Sequence, residues 1–321
     1  MAKITFKIKQ MKLKQTDIEI SIVIVSSQIK YLGGCLKTLY SALKGIPNEI
    51  IIVDNASVDK IGEQIKKQFS EVIIIRREVN GGFGENNNMG MRIAKGRYVL
   101  LLNDDTEIID KNIFKEMIEW MDSHPKVGLS SCALVNPDLK NYQGSGGYFP
   151  TLLRVIAWMT FIDDIPYLDN IIKPYHPMHS SSFIHTNEDY YKKAHKQDWV
   201  TGAFFFMRKS AMDEAGIFDE KFFLYVEEVE LAYRFYLKGW ETWYLPKWKT
   251  VHYGMATNGS EKATIMEMQN LRLFYKLHMP KWQLPILTGV LKFGVLLRII
   301  IYTIFGKLNI TKIYLKALTS F

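Results

Sequence analysis

Residues 20–133 predict a mostly parallel, doubly wound α/β sheet. Three observations carry that expectation. Apolar runs at 20–25, 49–53 and 98–102 are continuous rather than alternating, as in strands covered by helices on both faces. Segments with helical spacing separate the runs and give the β-α-β-α order of a parallel sheet. Two of the runs stop at carboxylates, Asp54 and the pair Asp104-Asp105. Ligands of open α/β sheets bind just beyond the carboxyl ends of strands.

The β-branched run 20–25 is read as the first strand, and 32–43 as the first helix. A second strand at 49–53 is followed by a helix over 58–69 and a third strand at 72–75. A glycine-rich turn at 80–84 leads into a helix from about 87 to 95, then the strand 98–102. Residues 114–121 read as a helix and 127–133 as a strand. Residues 136–197 break the pattern with five prolines, a Gly144–Gly147 cluster and many aromatic residues. They read as an irregular insertion, lid-like or facing an acceptor. Beyond it, 199–207 reads as one strand. Ser210 is expected to cap a short helix at 211–215 that Gly216 ends. A helix at 229–238 stops at Gly239, two short strands follow at 240–245 and 250–252, and Ser260 caps a long helix over Glu261–His278.

The 321 residues can hold one large α/β domain with an appendage, or two domains. Two cysteines in apolar surroundings, Cys35 and Cys132, give neither a disulfide framework nor zinc spacing and fit a reducing compartment. The N-terminus is charged without an apolar run, so no signal peptide is expected. Residues 1–16 carry five lysines and no acid, and residues 268–321 carry eight basic residues and no acid. Since the whole chain has a net charge of only +8, the body between these ends is acidic. Basic ends suit an anionic surface. The C-terminal basic residues are threaded through apolar sequence, and no nucleic-acid-binding motif accompanies them. The expected surface is therefore a membrane and not nucleic acid. The alternating apolar and basic residues near the N-terminus read as a solvated tail. Residues 284–305 hold two basic residues and no acid over a length that could cross a bilayer. Basic residues flank both ends, so charge does not orient the segment. A helix in the membrane plane, with Lys292 and Arg298 reaching out of it, is the first expectation. A span and a helix packed on the body are the alternatives.

Four places carry candidate chemistry. Asp104 and Asp105, at a strand end, can hold a hard divalent cation and through it a diphosphate. Asp54 can accept the ring N–H of a pyrimidine, although a turn of Asp, Asn and Ser explains the residues equally. In Asn80-Gly81-Gly82-Phe83-Gly84 and the following Asn86-Asn87-Asn88, glycines let backbone approach a bulky ligand, and a helix N-terminus offers free N–H groups. No Lys-Ser or Lys-Thr follows, so this is not a GxxxxGK[ST] phosphate loop. Glu227 and Glu228 open a helix after an aromatic segment, as helix-capping acids or as a general base. A carboxylate and the distant imidazole of His252 can complete a metal site.

Six blocks in order resemble the family 2 glycosyltransferases, in the bacterial rhamnosyltransferase-like branch. They are VDNAS at 53–57, NGGFGENNNMG at 80–90, GRYVLLLNDD at 96–105, DWVTGAFFFMR at 198–208, FDEKFFLYVEEVELAYR at 218–234 and VHYG at 251–254. The resemblance implies a GT-A nucleotide-diphospho-sugar transferase fold and inverting transfer to a glycan or lipid-linked acceptor from a nucleotide-diphosphate sugar (dTDP- or UDP-linked rhamnose or another hexose). By position it implies that Asp54 reads the pyrimidine, that Asn80, Gly82, Phe83, Asn87 and Asp104 line the donor pocket, and that Asp105 and His252 bind Mg²⁺ or Mn²⁺. Glu228 takes the place of the catalytic base, and Trp199, Thr201, Gly202 and Glu227 border the acceptor. The implied layout is a basic tail (1–19), a catalytic domain (20–278, donor half to about 133, acceptor half beyond) and a basic apolar helical segment (279–321). The expected location is cytoplasmic, peripheral on the inner face of the plasma membrane. Three departures stand out: Glu228 where Asp is usual, Ser27-Gln28 where Tyr-Asn is common, and Lys60 where glycine is frequent. A nucleotidyltransferase and an inactive membrane-bound scaffold are the rival readings. The first is disfavoured because no basic glycine-rich loop follows the first strand, the second because Asp105 and His252 are retained.

Overall fold

The structure, a computed structural model, describes residues 18–165, 168–177, 190–254 and 261–320. The basic N-terminal tail and the Ser260 cap lie outside the described residues. In chain order the first half comprises β1 (Ile20–Ser26), α1 (Ile29–Ala42), β2 (Asn48–Asn55), α2 (Ile61–Gln68), β3 (Ile73–Arg77), α3 (Phe83–Ile93), β4 (Tyr98–Asn103), β5 (Thr106–Ile108), α4 (Ile113–Ser123) and β6 (Val127–Val135). The second half comprises β7 (Gly146–Gly147), α5 (Leu152–Met159), α6 (Leu168–Ile171), β8 (His195–Gln197), β9 (Trp199–Val200), β10 (Phe204–Arg208), α7 (Lys209–Ala215), α8 (Glu227–Leu237), β11 (Glu241–His252), α9 (Glu261–His278), α10 (Gln283–Ile304) and α11 (Leu308–Leu318).

The main sheet is ordered β3-β2-β1-β4-β10-β6-β11-β5, with β8 beside β11. It is mostly parallel, and β10 runs antiparallel to both its neighbours. The continuous apolar runs follow from burial on both faces. Ile20, Ile22, Ile24, Leu100 and Leu102 face one core with α1 and α4, while Val23, Val99 and Leu101 face another with α3, α8 and α9.

Several boundaries differ from the sequence expectation, each for a physical reason. The expected strand 199–207 is two strands. Trp199-Val200 pairs with Gly146-Gly147 in a separate ladder, and the chain breaks at Thr201–Ala203 before Phe204 joins the main sheet. The two strands expected at 240–252 are one, β11, with a register shift between Leu245 and Lys249. Pro246, which lacks an N–H, sits in that irregular stretch. Strand β5, unforeseen, follows Asp105 directly and pairs with the end of β11. Helix α3 begins at Phe83, four residues early, because Gly82 serves as its extended N-cap. Ser210 lies inside α7, which has no side-chain cap, although Gly216 ends it with φ +85° as expected. Lys60 has a left-handed φ of 47°, the conformation that a glycine adopts without steric cost. The 136–197 insertion is not wholly irregular, since α5 packs against α10.

Candidate active site

From β1 the strand order runs one way to β3 and the other way to β4, so a crevice opens at the β1/β4 carboxyl ends. Ser26 is level with Asp54, and Val25 with Asn103. Across the crevice the Ser26 hydroxyl donates to Asp104 Oδ2. Burial pushes the Asp104 carboxyl up to about 6, with the Ser26 bond opposing and the Asp105 charge adding to the shift. Ser26, and not the Ser27-Gln28 pair that departs from the family pattern, is thus the first-strand residue engaged with Asp104.

Asp54 is buried, with Oδ1 accepting the Ser57 N–H (3.0 Å) and Oδ2 the Arg76 guanidinium (2.7 Å). Its neighbour Asn55 accepts the Gly81 N–H (3.0 Å) and donates to Asn80 Oδ1 (2.6 Å), which fixes the start of the glycine turn. Gly82 is required by space: a Cβ there would lie 2.5 Å from Phe223 O. Phe83 donates its N–H to the same carbonyl at 2.8 Å. Asn87 is buried and donates to Phe83 O at 3.0 Å. The glycine turn is therefore docked onto the 222–226 segment that precedes Glu227.

At the far side of β4, Asp105 Oδ1 lies 3.2 Å from His252 Nε2. Strand β5 creates this pairing, for Thr106 is level with His252. Gln143 Nε2 donates to Asn136 Oδ1 and to His252 O, so its Oε1 is left to accept from His252 Nδ1 (2.7 Å). With Nδ1 engaged by Gln143, Nε2 is the ring nitrogen turned toward Asp105, and Asn103 Nδ2 also lies 3.2 Å from it. A carboxylate beside an imidazole oriented by an amide fits a divalent cation whose other ligands come from substrate and water. Among the described residues no cluster of three or more His, Cys, Asp or Glu is gathered for a metal, so protein ligands alone would leave the coordination incomplete.

Helix α8 is entered through two left-handed residues, Tyr225 (φ 71°) and Val226 (φ 70°). Positive φ at a β-branched residue is strained. Asn270 of α9 holds the turn, its Nδ2 donating to Leu224 O and Tyr225 O at 2.9 Å each. Glu228 follows, its Oε1 accepting the Gly202 N–H at 3.1 Å, and burial raises its pKa. Glu227 is buried, and its Oε2 has no partner among the described residues. Burial and the adjacent Glu228 push its pKa well up. Trp199 donates its indole N–H to Tyr148 O, and Thr201 its backbone N–H to Ser145 O.

The two acidic sites meet at the Thr201–Ala203 break. Gly202 faces Glu228, and Ala203 O accepts the Asn103 N–H at 3.1 Å, two residues before Asp105. A Cβ at Gly202 would lie 2.3 Å from Phe83 Cζ, so the glycine turn touches the same break. Sequence reasoning missed Ser26, Gln143 and Asn270. Gln143 adjoins a glycine cluster, and Asn270 is a polar residue on the apolar face of an expected helix, but nothing local links either to its partner.

A family model, "Glycosyl transferase family 2", matches residues 21–214. An N-acetylglucosaminyl-diphospho-decaprenol L-rhamnosyltransferase of Mycobacterium tuberculosis is 21% identical over 285 residues, covering 84% of this chain and 88% of that protein. Rhamnosyltransferase WbbL of Escherichia coli is 25% identical over 221 residues, 66% of this chain and 75% of its own length. The crystal structure of GalNAc-T7 with UDP, GalNAc and Mn²⁺ aligns with a TM-score of 0.55 at 16% identity. That alignment covers 83% of this chain and 49% of GalNAc-T7, so the chain spans about half that protein. At such identity the likeness speaks for the fold, which is GT-A.

Proposed function

The chain belongs to glycosyl transferase family 2, and on that premise we propose an inverting, metal-dependent hexosyltransferase that uses a dTDP- or UDP-sugar, rhamnose or another hexose, in cell-surface glycan synthesis. The observation that carries the reading is the shared break at Thr201–Ala203, where Glu228, the donor loop and the end of β4 converge. In this reading residues 20–133 form the donor half and 134–278 the acceptor half.

Asp54 accepts the pyrimidine N–H at the end of β2. The glycine turn lets backbone approach the diphosphate, and Asn80, Phe83, Asn87 and Asp104 wall the pocket. Asp105 and His252 would hold a divalent cation, Mg²⁺ or Mn²⁺, with Gln143 orienting the imidazole. The chemistry supplied by such a cation would be neutralisation of charge on the diphosphate leaving group. Glu228 takes the proton of the acceptor hydroxyl. Its raised pKa makes it a better base than an exposed carboxylate, and its Gly202 bond holds it toward the acceptor segment. The hydroxyl oxygen attacks the anomeric carbon from the face opposite the diphosphate, so one displacement inverts the centre. Glu228 is one methylene longer than the usual Asp, and the left-handed turn before α8 sets how far back it starts.

The acceptor is lipid-linked or a growing polysaccharide. The name of the M. tuberculosis relative specifies a diphospho-decaprenol acceptor, which supports the lipid-linked form. Two buried free thiols suit the cytoplasm, and the apolar C-terminal helix suits the inner face of its membrane.

The test is binding and hydrolysis of a panel of nucleotide sugars by purified protein, with Mg²⁺, Mn²⁺ or EDTA. One dTDP- or UDP-sugar is expected to bind only with metal. Asp105→Ala is expected to lose that dependence, and Glu228→Gln to keep donor binding while losing transfer. Unchanged turnover in Glu228→Gln would remove it as the base, and equal donor affinity in EDTA would remove the metal.

A further inference from the structure

Helix α10 has 22 residues and the hydropathy of a membrane span, yet it is held to the body along one face. Leu287, Leu291, Gly294, Val295 and Arg298 are its buried residues. Arg298, expected from sequence to reach outward, points inward instead. Its Nη1 donates to Met159 O (2.7 Å) and its Nη2 to Trp158 O (2.8 Å), and the guanidinium lies 4.3 Å from the Phe161 ring centroid. It caps the carboxyl end of α5, where a cation is favoured and free carbonyls need donors. Gly294 lets the two helices close up, since a Cβ there would lie 2.4 Å from Met159 Cε.

The opposite face is apolar and uncovered. Trp282, Ile286, Phe293, Leu296, Ile300 and Ile304 are all exposed and recur at helical spacing along the outer side. Phe305 and Leu308, also exposed, carry the stripe through the turn into α11. A stripe of this extent on a soluble surface marks an interaction site. Charge identifies the occupant. Residues 268–321 hold eight basic residues and no acid, and Lys281, Lys292 and Lys312 are exposed in or beside α10 and α11.

We infer that the α10–α11 hairpin is an in-plane docking surface for an anionic lipid bilayer, and that α10 does not cross it. Crossing would pull α10 from α5, strand Arg298 in hydrocarbon and uncover the α5 carbonyls. Lying flat keeps these bonds, buries the stripe in the acyl boundary and leaves the lysines among anionic headgroups. The inference deepens the membrane location proposed above. It stands on the surface, not on the catalytic residues, so vesicle binding and sugar transfer are read separately and can fail separately.

The test is sedimentation of the purified full chain with phosphatidylcholine vesicles, with and without one-third phosphatidylglycerol. Binding is expected to need the anionic lipid and to weaken with salt. Ile300→Asp is expected to lower vesicle affinity at least tenfold while leaving thermal unfolding and donor hydrolysis unchanged; Phe293→Ser serves as a milder second variant. Gln283→Cys and Lys307→Cys are expected to react equally with an impermeant maleimide added outside the vesicles. Reaction of one site but not the other would mean a span and overturn the inference. Equal vesicle binding by wild type and both stripe variants would also overturn it. So would a dimer in solution that Ile300→Asp dissolves while wild type ignores vesicles, because a second copy would then be the occupant.

Discussion

Replacing Asn270 by aspartate, a nearly isosteric change, turns the donor beneath the α8 entry turn into an acceptor. Two left-handed residues there, one of them β-branched, cost about 1–2 kcal/mol each relative to ordinary backbone. Against this, Asn270 Nδ2 donates to Leu224 O and Tyr225 O, and two such bonds are worth about 1 kcal/mol apiece net. The opposing quantities are of the same size, so the amide decides whether the turn keeps its shape. Asn270→Ala is expected to lose about 2–3 kcal/mol of stability, since it also leaves two carbonyls short of a donor. Asn270→Asp is expected to lose more, because a carboxylate would face two carbonyl oxygens. Glu228 begins two residues beyond Val226, so its carboxylate shifts when the turn relaxes. In its proposed role as general base, a displaced Glu228 would forfeit part of the roughly 10²–10⁴-fold such a group contributes. The assay is steady-state transfer and donor binding at a temperature where each variant is folded by circular dichroism. Turnover is expected to fall at least tenfold with donor affinity nearly unchanged, and Asn270→Gln to recover part of it. Wild-type turnover in folded Asn270→Asp would refute the positioning argument, and a parallel loss of donor affinity would reduce Asn270 to a structural role.

Two other expectations follow from the same geometry. Gly202→Ala drives a Cβ to 2.3 Å from the tip of Phe83 and 3.0 Å from Glu228 Oε1, so it is expected to raise the donor KM and lower kcat together. Unaltered values for both would mean that the break is not a wall shared by donor and base. Glu227 has its folded pKa raised above the unfolded one, so the unfolded chain holds fewer protons at neutral pH and this group erodes stability as pH rises above the ordinary glutamate range. Glu227→Gln is expected to gain stability over wild type as pH climbs from 4 to 8, with little difference at pH 4. A difference that does not change with pH, in denaturant titrations at both ends, would mean that Glu227 is not held neutral.

The parallel strands of the sheet and the positions of the candidate chemistry were legible along the chain. Short, β-branched apolar runs separated by helical spacing read as strands covered on both faces, and Asp54 and Asp105 stand where those runs stop, so strand ends and candidate ligands were readable together. The order of six blocks then implied the family that the family model also finds. Boundaries were less legible wherever tertiary pairing overruled local pattern: the split at Thr201–Ala203, the merging of two short strands into β11, and the early start of α3 on Gly82. The partners of the polar side chains were set by packing. Gln143 is 109 residues from His252, Ser26 is 78 from Asp104, Asn270 is 45 from Tyr225, and Arg298 is 139 from Met159. Local spacing reports which face of an element is apolar, because burial acts residue by residue with the period of the helix or strand. It does not report which distant carbonyl a polar side chain on that face will meet, because that depends on how elements pack. Arg298 shows the difference: from sequence it is a charge in an apolar helix, and packing against α5 makes it the donor to the Trp158 and Met159 carbonyls.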